Sequence, residues 1–577
     1  MKFLLVLFFP LCVTARTFHV TPSMTLSQVN ELPAKAGDSV VFQAGAVWQG
    51  RLVIKNGVHY CGSTSGLQPV ITGMTDVTAW KNVNGNIWEA AGSSNVLTIN
   101  GSYFPYGRTG WMTYESFNGN TVTDNDLQGD WMGAELVMRK QPWVVDRARI
   151  IAQSGNDLTY VSLTGLTDEP VKNAHYFIQN SPGCLHEPGD WASGATKIDL
   201  CWNRSPAGVK IAKEPTLLEG AGRSGATIDR LSFIGSTETM VNIPGSSGLT
   251  FTNCSFAFCG EDAFYVTGAT NLHIRDCSFE TIANNGILGN ASQSGITGSS
   301  FHRIGVYEGM TMQRNKSSIS ATAIRLAGDE NTITGNSIVQ VGYNAIDFKG
   351  DKVIISDNYI DSFCLAKADG GAIYTWNGER TPGVIYTQRS INGNIIQNGL
   401  HPADLDASLS NGIYIDDNSN HISVTNNFVY NCAFKNIYLH NAHEIEVRGN
   451  TSIGGGFSCF AISHGSGKDG VSNIMVMGNR FIGVRATAGH VISIETRTDS
   501  IPFIGHFDSN VISSVGREGP VVFLDVNGRY SHLDLSGWQR YSGFDKTSRP
   551  SRIKNLSGLK MNISRRRPFA ARIDSDL

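Results

Sequence analysis

The stretch CSFAFCGEDAFYVTGATNLHIRDCSFETIANNGILGNASQSGITGSSF, residues 254–301, contains one short motif three times, and this repetition decides the fold. The copies begin at Cys254, Cys277 and Ser299, and each continues with Ser and Phe. Related tripeptides, most of which begin with Asn, begin at Leu231, Asn336, Asn358, Asn394, Asn427, Asn450, Asn479 and Asn510. Short steps of 22 or 23 residues alternate with longer ones of 29 to 37. A short repeat with loop insertions indicates a solenoid.

The residues between these motifs favour strands. Runs of Val, Ile, Phe and Thr are bounded by Gly, Asn, Asp and Ser, and no helical period occurs. A coil of about 22 residues with three short strands is typical of a parallel β-helix. We expect the Asn residues to stack at a tight turn, where Asn tolerates left-handed backbone angles and bonds its own main chain. Cys254 and Cys277 would share that column as buried thiols.

The repeat also predicts how the chain is organised. Residues 16–75 resemble the first coils, residues 226–526 the main β-helix, and residues 527–577 a C-terminal segment with a basic tail. Residues 76–225 interrupt the period, and alternating segments such as AELVMRK predict an inserted antiparallel β-subdomain there. Most of the ten Trp residues lie in this segment, namely Trp80, Trp88, Trp111, Trp131, Trp143, Trp191 and Trp202.

Composition bounds the location and the partners. Residues 1–15 have a Lys, an apolar run and a small-residue end, which predicts a secretory signal peptide and a secreted or periplasmic protein. That run is too short to span a membrane. The net charge of −3 gives no reason to expect a nucleic-acid partner. No Cys and His spacing resembles a zinc site, whereas Cys184 and Cys201 flank a loop and are a candidate disulfide.

One strand of successive coils aligns as five rows, and the rows predict a site. They are Ala323-Ile-Arg-Leu-Ala, Ala345-Ile-Asp-Phe-Lys, Ala372-Ile-Tyr-Thr-Trp, Gly412-Ile-Tyr-Ile-Asp and Asn436-Ile-Tyr-Leu-His. Because side chains alternate along a strand, the second and fourth positions face the core and the third and fifth face outward. The outward set is Arg325, Asp347, Lys349, Tyr374, Trp376, Tyr414, Asp416, Tyr438 and His440. Rings and carboxylates on one outer face are what a sugar-binding cleft requires.

Nearby loops add the acids Asp369, Glu379 and Asp417. Each candidate also has a structural explanation. Asp369 and Asp417 are suited to cap turns, Asp347 is suited to a surface ion pair with Lys349, and tyrosines stack in β-helices for packing alone. The convergence of these residues on one face is the evidence for function.

Three classes of function fit this face. Glycoside hydrolysis needs an acid and a second carboxylate, and Asp347 and Asp416, two coils or roughly 10 Å apart, suit inversion. A polysaccharide lyase would use Arg325, Lys349, Tyr414 or His440 on a uronate. The acidic excess disfavours that substrate unless calcium bridges the charges, and no calcium-loop spacing occurs. A non-catalytic carbohydrate-binding protein would carry the rings without functional acids.

The segments DGGAIYTWNG (369–378), NGIYIDDNSNHISVTNNFVYNC (411–432) and NIYLHNAHEIEVRGN (436–450) resemble secreted bacterial right-handed β-helix proteins of the pectate-lyase-like superfamily. The insert NSPGCLHEPGDWASGATKIDLCW (180–202) is similar to the PGEWY segment of such proteins, with Ala192 where Tyr or Phe is usual. Among them the chain resembles glycoside hydrolase family 141, which has α-L-fucosidase and xylanase activities. That resemblance implies two catalytic aspartates at Asp369 and Asp416, with Asp417 as a substitute for Asp416.

The sequence therefore predicts a secreted right-handed β-helix glycosidase that acts on a plant or algal polysaccharide and needs no organic cofactor. Asp369 and Asp416 would be the acid and base, with Asp347 and Asp417 in reserve. The expected substrate-binding residues are Arg325, Lys349, Tyr374, Trp376, Glu379, Tyr414, Tyr438 and His440.

Overall fold

A computed structural model describes residues 15–166, 168–311, 320–378, 386–405, 409–465, 471–484, 490–497, 501, 504–515 and 519–550. The predicted signal peptide, apart from Ala15, and the basic tail lie outside these residues. Three long sheets of parallel strands run through the described chain, and successive coils add one strand to each sheet. Only the last pair of one sheet, Val522–Val526 with Arg529–Leu533, is antiparallel within them.

The three sheets have 14, 13 and 15 strands. The 14-stranded sheet contains Thr17–Val20, Ser39–Phe42, His59–Gly62, Thr227–Asp229, Thr250–Thr252, His273–Arg275, Gly295–Thr297, Thr332–Thr334, Ile354–Ser356, Arg389–Asn392, Asn420–Thr425, His443–Arg448, Ser472–Met477 and Gly505–Asp508. The 13-stranded sheet contains Val47–Gln49, Val70–Thr72, Ser232–Ser236, Ser255–Cys259, Ser278–Ile282, Ser300–Ile304, Ser337–Val341, Tyr359–Phe363, Ile395–Gly399, Phe428–Tyr430, Thr451–Ile453, Arg480–Val484 and Val511–Val515. The 15-stranded sheet contains Leu52–Val53, Leu218–Glu219, Val241–Asn242, Phe264–Tyr265, Ala269–Thr270, Ile287–Ser292, Ile324–Ala327, Ile346–Phe348, Gly370–Trp376, Ser410–Asp416, Lys435–His440, Ser458–Ser463, His490–Thr496, Val522–Val526 and Arg529–Leu533.

An asparagine ladder lies at the corner between the 14-stranded and 13-stranded sheets. Its members are Asn336, Asn358, Asn394, Asn427, Asn450, Asn479 and Asn510, all at most 1% exposed. Each Nδ2 donates to the Oδ1 of the next member at 2.9–3.1 Å, and the final Asn510 donates to Asp545 at 2.8 Å. The ladder thus bonds successive coils to one another.

The expectation of left-handed asparagines in this ladder is wrong. The left-handed position is instead the residue before each member, such as Gly335, Asp357 or Gly393. The ladder side chain is turned inward by that corner, so it bonds the neighbouring coil. For example, Asn358 Nδ2 donates to the Ile333 carbonyl at 3.0 Å.

Stacked side chains fill the interior of the coil. Phe233, Phe256, Phe279 and Phe301 stack in successive coils with ring centroids 4.4–5.4 Å apart. Cys254 and Cys277 are buried in the same core, as predicted.

The candidate disulfide between Cys184 and Cys201 is wrong, because both are free and buried. The two side chains lie in different apolar clusters, and the Cys184 thiol instead donates to the Ile178 carbonyl at 3.4 Å. Burial raises the pKa of both thiols.

Antiparallel sheets occupy the region between the first and later coils. The seven-stranded sheet contains Met112–Thr113, Ser116–Asn118, Thr121–Thr123, Glu135–Gln141, Val144–Ser154, Asp157–Ser162 and His175–Gln179. One four-stranded sheet contains Met74–Asp76, Leu97–Ile99, Ser102–Phe104 and Val209–Ala212, and another contains Lys81–Asn84, Ile87–Ala91, Trp191–Ser193 and Lys197–Cys201. The predicted fold class, a parallel β-helix with an antiparallel insertion, is confirmed, and the residue limits of the domains stay predictions.

The described helices are short. Leu26–Glu31 and Leu535–Ser542 are α-helical, and Pro182–Cys184 and Glu308–Met310 are 3-10 turns. Neither described α-helix has the length and apolar character that a membrane crossing requires.

The insert contacts the coils through a buried ion pair. Arg139, on the seven-stranded sheet, donates through Nε and Nη2 to the Asp404 carboxylate at 2.6 and 2.9 Å, and both side chains are at most 3% exposed. Its Nη1 donates to the Ala366 carbonyl at 3.2 Å. The Ala368 amide donates to the Pro142 carbonyl at 2.9 Å. The insert therefore holds the segment that leads directly into Asp369.

Candidate active site

The predicted row alignment is the observed register of the 15-stranded sheet. We call one outward-facing set of paired residues the tyrosine column; it contains Arg325, Asp347, Tyr374, Tyr414, Tyr438, Ala461, Ser493 and Phe523. Two residues further along each strand lies what we call the acid column, which contains Trp376, Asp416, His440, Ser463, Glu495 and Asp525. The isoleucines directly before the tyrosine column, such as Ile373 and Ile413, are fully buried, so the predicted inward and outward positions are correct.

The tyrosines pack against one another instead of presenting open rings. Tyr374 contacts Tyr414 with centroids 5.2 Å apart, Tyr414 stacks on Tyr438 at 4.8 Å, and Tyr438 stacks on His440 at 5.6 Å. Tyr414 is 4% exposed and Tyr438 is 8% exposed. This stack is therefore a rigid support for the neighbouring polar groups, whereas Trp376, at 38% exposure, offers an accessible ring.

Asp416 lies at the centre of the polar cluster. The Tyr374 hydroxyl donates to its Oδ2 at 2.9 Å, and the Asp417 amide donates to its Oδ1 at 2.8 Å. His440 Nδ1 lies 2.7 Å from the same Oδ1. Three partners on both oxygens fix the orientation of this carboxylate, which is the preorganisation that catalysis by a carboxylate needs.

The Asp417 carboxylate lies at the edge of the polar cluster and bonds two of its neighbours. Its Oδ1 accepts from Asn441 Nδ2 at 2.6 Å, and its Oδ2 accepts from the Trp376 indole at 3.4 Å. Ligand atoms of Asp416, Asp417 and His440 all lie within 4.8 Å of one another, so the trio has the spacing of a cation site. Its atoms already have hydrogen-bond partners, and mixed His and carboxylate donors are not the all-oxygen set that calcium prefers.

Asp369 enters the site from a strained turn before the strand Gly370–Trp376. Its φ of 58° is left-handed, and its carbonyl accepts from the Tyr343 hydroxyl at 2.9 Å. A Cβ on the following Gly370 would lie 2.5 Å from the Tyr343 ring and from Asn344 Oδ1, so only glycine allows this close approach.

Burial raises the pKa of the Asp369 carboxyl to about 6, and the nearby Asp416 charge adds to the rise. His440, Lys435 and a hydrogen bond from Tyr414 act in the opposite direction. At a pH below about 6 the group therefore carries a proton that it can transfer.

The basic candidates lie on the side of the N-terminal coils. Arg325 Nη1 donates to Asp347 Oδ2 at 3.1 Å, and Asp347 is 2% exposed, so this acid is bound in a buried pair with Arg325 and not in the surface pair with Lys349. The Lys349 ammonium lies 4.9 Å from the centroid of the Trp376 ring. Burial lowers the pKa of Lys349, the Asp347 charge opposes that shift, and Arg325 lowers the pKa further. Glu379 lies outside the described residues.

Three residues of this site, Tyr343, Lys435 and Glu495, were not predicted from the sequence. Lys435 is 2% exposed; its Nζ lies 3.8 Å from the Tyr438 ring centroid and donates to Glu495 Oε1 at 3.2 Å. Burial lowers the pKa of Lys435, and Glu495 opposes that shift. Extending the row alignment by two more coils, through SCFAIS and HVISIET, would have found Glu495.

A groove of about 600 Å³ continues from this cluster toward the C-terminal coils. Tyr438 and His440 form one end. The rest is lined by Ser463, His464, Gly465, Glu495, Thr496, Arg497, Asp525, Asn527 and Gly528.

Known proteins share the fold of this chain. The family model "Right handed beta helix region" matches residues 217–317, and no curated protein matches the chain. A solved structure named "Glycoside hydrolase" is 15% identical, with 74% of this chain and 90% of that chain covered and a TM-score of 0.57.

Two further structures are less similar. The complex of XylC with xylose is 11% identical, with 89% and 86% of the two chains covered and a TM-score of 0.46. The Streptococcus pneumoniae surface protein and adhesin PfbA is 12% identical, with 80% and 92% covered and a TM-score of 0.38. At these identities the likeness concerns the fold, and the chain is a right-handed parallel β-helix.

Proposed function

We propose that the protein is a glycoside hydrolase in which Asp369 is the general acid and Asp416 is the second carboxylate. One observation carries the proposal: two neighbouring carboxyl groups on the outer face differ in environment. Asp369 is desolvated with a pKa of about 6, whereas Asp416 has donors on both oxygens. Paired acids in contrasting environments are how one site supplies an acid and a base together.

The proposed chemistry follows from these two environments. The protonated Asp369 transfers its proton to the leaving glycosidic oxygen as the bond to the anomeric carbon breaks. Asp416 either removes a proton from an attacking water or attacks the anomeric carbon itself. Tyr374 and His440 hold Asp416 in place, and they are positioning residues in this scheme.

The similarity to a solved glycoside hydrolase, with a TM-score of 0.57, supports the reaction class. Because one fold serves many functions, the likeness lends support only to that class. The predicted likeness to glycoside hydrolase family 141, and activity on a plant or algal polysaccharide, belong to the same proposal. Residues 1–15 support a location outside the cytoplasm.

Lyase activity is the second candidate, and Lys349 favours it. A lysine whose pKa is lowered by burial is suited to remove a proton from the carbon next to a uronate carboxyl group. The accessible Trp376 ring beside Lys349 would then stack on the sugar.

A product assay tests the proposal. Purified protein is incubated with a panel of plant and algal polysaccharides, and both new reducing ends and the ultraviolet absorbance of unsaturated products are recorded. We expect reducing ends without absorbance. Absorbing products would identify a lyase, and binding without any product would identify a non-catalytic protein.

Asp369→Asn and Asp416→Asn then test the site. Each variant should lose at least about 100-fold in turnover while the circular dichroism spectrum stays unchanged. Asp276→Asn is the matched control, since Asp276 is exposed at a corner between the other two sheets and should keep full activity. Full activity in both site variants would disprove the assignment.

A further inference from the structure

We propose that the groove beyond His440 is a binding subsite for an uncharged sugar residue, whose hydroxyl groups are recognised by Glu495 and Asp525. This inference rests on the proposed function, because it assigns a substrate class to the same active site. It goes beyond the acid pair, since it concerns the coils that follow Tyr438 in the 15-stranded sheet.

The shape of the groove follows from side-chain size along the two columns. In the tyrosine column, Tyr438 is followed by Ala461 and Ser493 before Phe523 restores a ring. In the acid column, His440 is followed by Ser463. Three strand spacings separate Tyr438 from Phe523, which is roughly 14 Å. Small side chains therefore follow the ring of Tyr438, and the groove begins beside that ring.

Lys435 is buried and contacts two of the residues that line the groove. Its Nζ contacts Ser463 Oγ at 3.4 Å and Glu495 Oε1 at 3.2 Å, one and two coils further on. The lysine is 2% exposed, and Ala461 and Ser493 are fully buried. Lys435 therefore holds Ser463 and Glu495 in place, and the volume of the groove, about 600 Å³, lies in the range of small-molecule sites.

The charges in the groove indicate its ligand. Glu495 and Asp525 are directly paired on adjacent strands, and like charges in this position destabilise a sheet. The Glu495 side chain is 35% exposed, so it reaches the groove in spite of its bond to Lys435. Asp525 accepts from the Gly528 amide at 2.8 Å, which orients its carboxylate beside the groove. Lys435 binds Glu495 through Oε1 and the Gly528 amide binds Asp525 through Oδ1, so each carboxylate has a second oxygen that can accept a hydrogen bond from a sugar hydroxyl group.

Carboxylates discriminate between sugar classes. They accept strong hydrogen bonds from hydroxyl groups, and they repel the carboxylate of a uronic acid. Arg497, directly after the strand His490–Thr496, is the exposed cation among the described lining residues, and the two carboxylates outnumber it. The groove therefore favours a neutral sugar residue next to the bond that is broken.

Binding measured without turnover tests this subsite. Saturation-transfer NMR would use D-xylose, D-galactose and L-fucose as neutral probes and D-galacturonate and D-glucuronate as charged ones, all at neutral pH. We expect at least one neutral sugar to bind, and both uronates to bind at least about tenfold more weakly. No binding by any neutral probe, or tighter binding of a uronate, would overturn the inference.

Variants place the binding in the groove. Glu495→Gln combined with Asp525→Asn should weaken the neutral sugar by about tenfold or more and reduce its advantage over the uronates. Ser463→Trp should fill the groove and abolish binding. Ser65→Trp is the matched control, since Ser65 is exposed in a loop of the first coils and the same substitution there should keep binding. Unchanged binding in folded Ser463→Trp protein would show that the sugar binds elsewhere and would overturn the inference. Unchanged binding in the double variant Glu495→Gln and Asp525→Asn would overturn it too, and those substitutions hardly change the side-chain volume.

The two proposals fail separately. Neutral-sugar binding in the groove without cleavage of any polysaccharide would contradict the hydrolase but not the subsite. Cleavage with a preference for uronate at this groove would contradict the subsite alone.

Discussion

Asp369 and Asp416 show how environment alone gives two identical side chains different chemistry. Asp369 sits on a left-handed turn beneath Tyr343 and is desolvated, so its neutral form is favoured. Asp416 lies at the end of a strand among hydrogen-bond donors. A carboxyl that holds its proton and one that offers lone pairs are the two partners of acid–base catalysis.

Activity should depend on pH through Asp369. Because the acid must be protonated and its pKa is about 6, we expect kcat/KM to fall as the pH rises above about 6. The groups that face this carboxyl are Asp416, His440, Lys435 and Tyr414. The measurement is a pH profile of kcat/KM on the substrate found in the panel.

Tyr414→Phe refines that test. The Tyr414 hydroxyl lowers the pKa of Asp369, so its removal should move the falling limb to higher pH while the ring stack is retained. If kcat/KM of Tyr414→Phe falls over the same pH range as that of the wild type, a group other than Asp369 controls the fall.

Stability should depend on the same group. The pKa of Asp369 in the folded protein, about 6, is raised above its ordinary value of 3.8. The contribution of this carboxyl to the stability of the folded state is therefore complete below pH 3.8 and is lost as the pH rises through about 6. Asp369→Asn cannot ionise and should avoid this loss. The difference between the free energies of unfolding of Asp369→Asn and of the wild type should therefore be larger at pH 7 than at pH 4, by up to about 3 kcal/mol in favour of the variant. Denaturant titrations at both pH values measure it, and a constant difference would contradict the expectation.

At the scale of elements, the regular register of the coils aligns both the asparagine ladder, which bonds the coils together, and the two columns, which form the site. The ladder lies inside the coil, where every amide is bonded to the next coil. The columns lie outside, where the register aligns chemically different residues from successive coils. Because each coil adds one residue to each column, one parallel sheet assembles a site from segments far apart in the chain.

Loss of one ladder amide should be costly. Asn427 Oδ1 accepts from Asn394 Nδ2 at 2.9 Å, and its Nδ2 donates to the Ile391 carbonyl at 2.9 Å and to Asn450 Oδ1 at 3.0 Å. Asn427→Ala would leave these buried groups without partners. We expect a loss of about 3 kcal/mol or more in the free energy of unfolding.

Asn82→Ala is the control for the ladder, because Asn82 is exposed and makes one bond to the Gly85 carbonyl at 2.8 Å. Its free energy of unfolding should change by less than about 1 kcal/mol. Similar losses in the two variants would show that the ladder makes no special contribution.

At the scale of the whole molecule, the insert supports the site from one side. Arg139 of the insert binds Asp404 and the Ala366 carbonyl of the coils, and it lies 3.5 Å from Glu308, whose pKa is raised by burial. Ala366 precedes Asp369 by three residues. The seven-stranded sheet is thus bonded to two loops of the coils, one of which leads into the proposed acid.

Arg139→Met tests this dependence. It leaves the fully buried Asp404 charge without its partner, which should cost about 3 to 5 kcal/mol and lower the melting temperature. Arg139→Met combined with Asp404→Asn should recover much of that loss, because no buried charge is then left alone. Equal melting temperatures for the single and double variants would contradict a strong pair. Activity of the folded double variant reports whether the contact also positions Asp369.

The sequence by itself determined the coil, because a β-helix repeats one local pattern and each repeat therefore contains a similar tripeptide at the same position. It also determined which side chains face outward, since strand alternation is local, and so the alignment of Tyr374, Tyr414 and Tyr438 was predictable. Only the tertiary structure decided the burial of those rings, the pairing of Asp347 with Arg325, and the passage of Lys435 across two coils to Glu495. These depend on contacts between coils and with the insert, and long-range packing leaves no periodic trace in sequence.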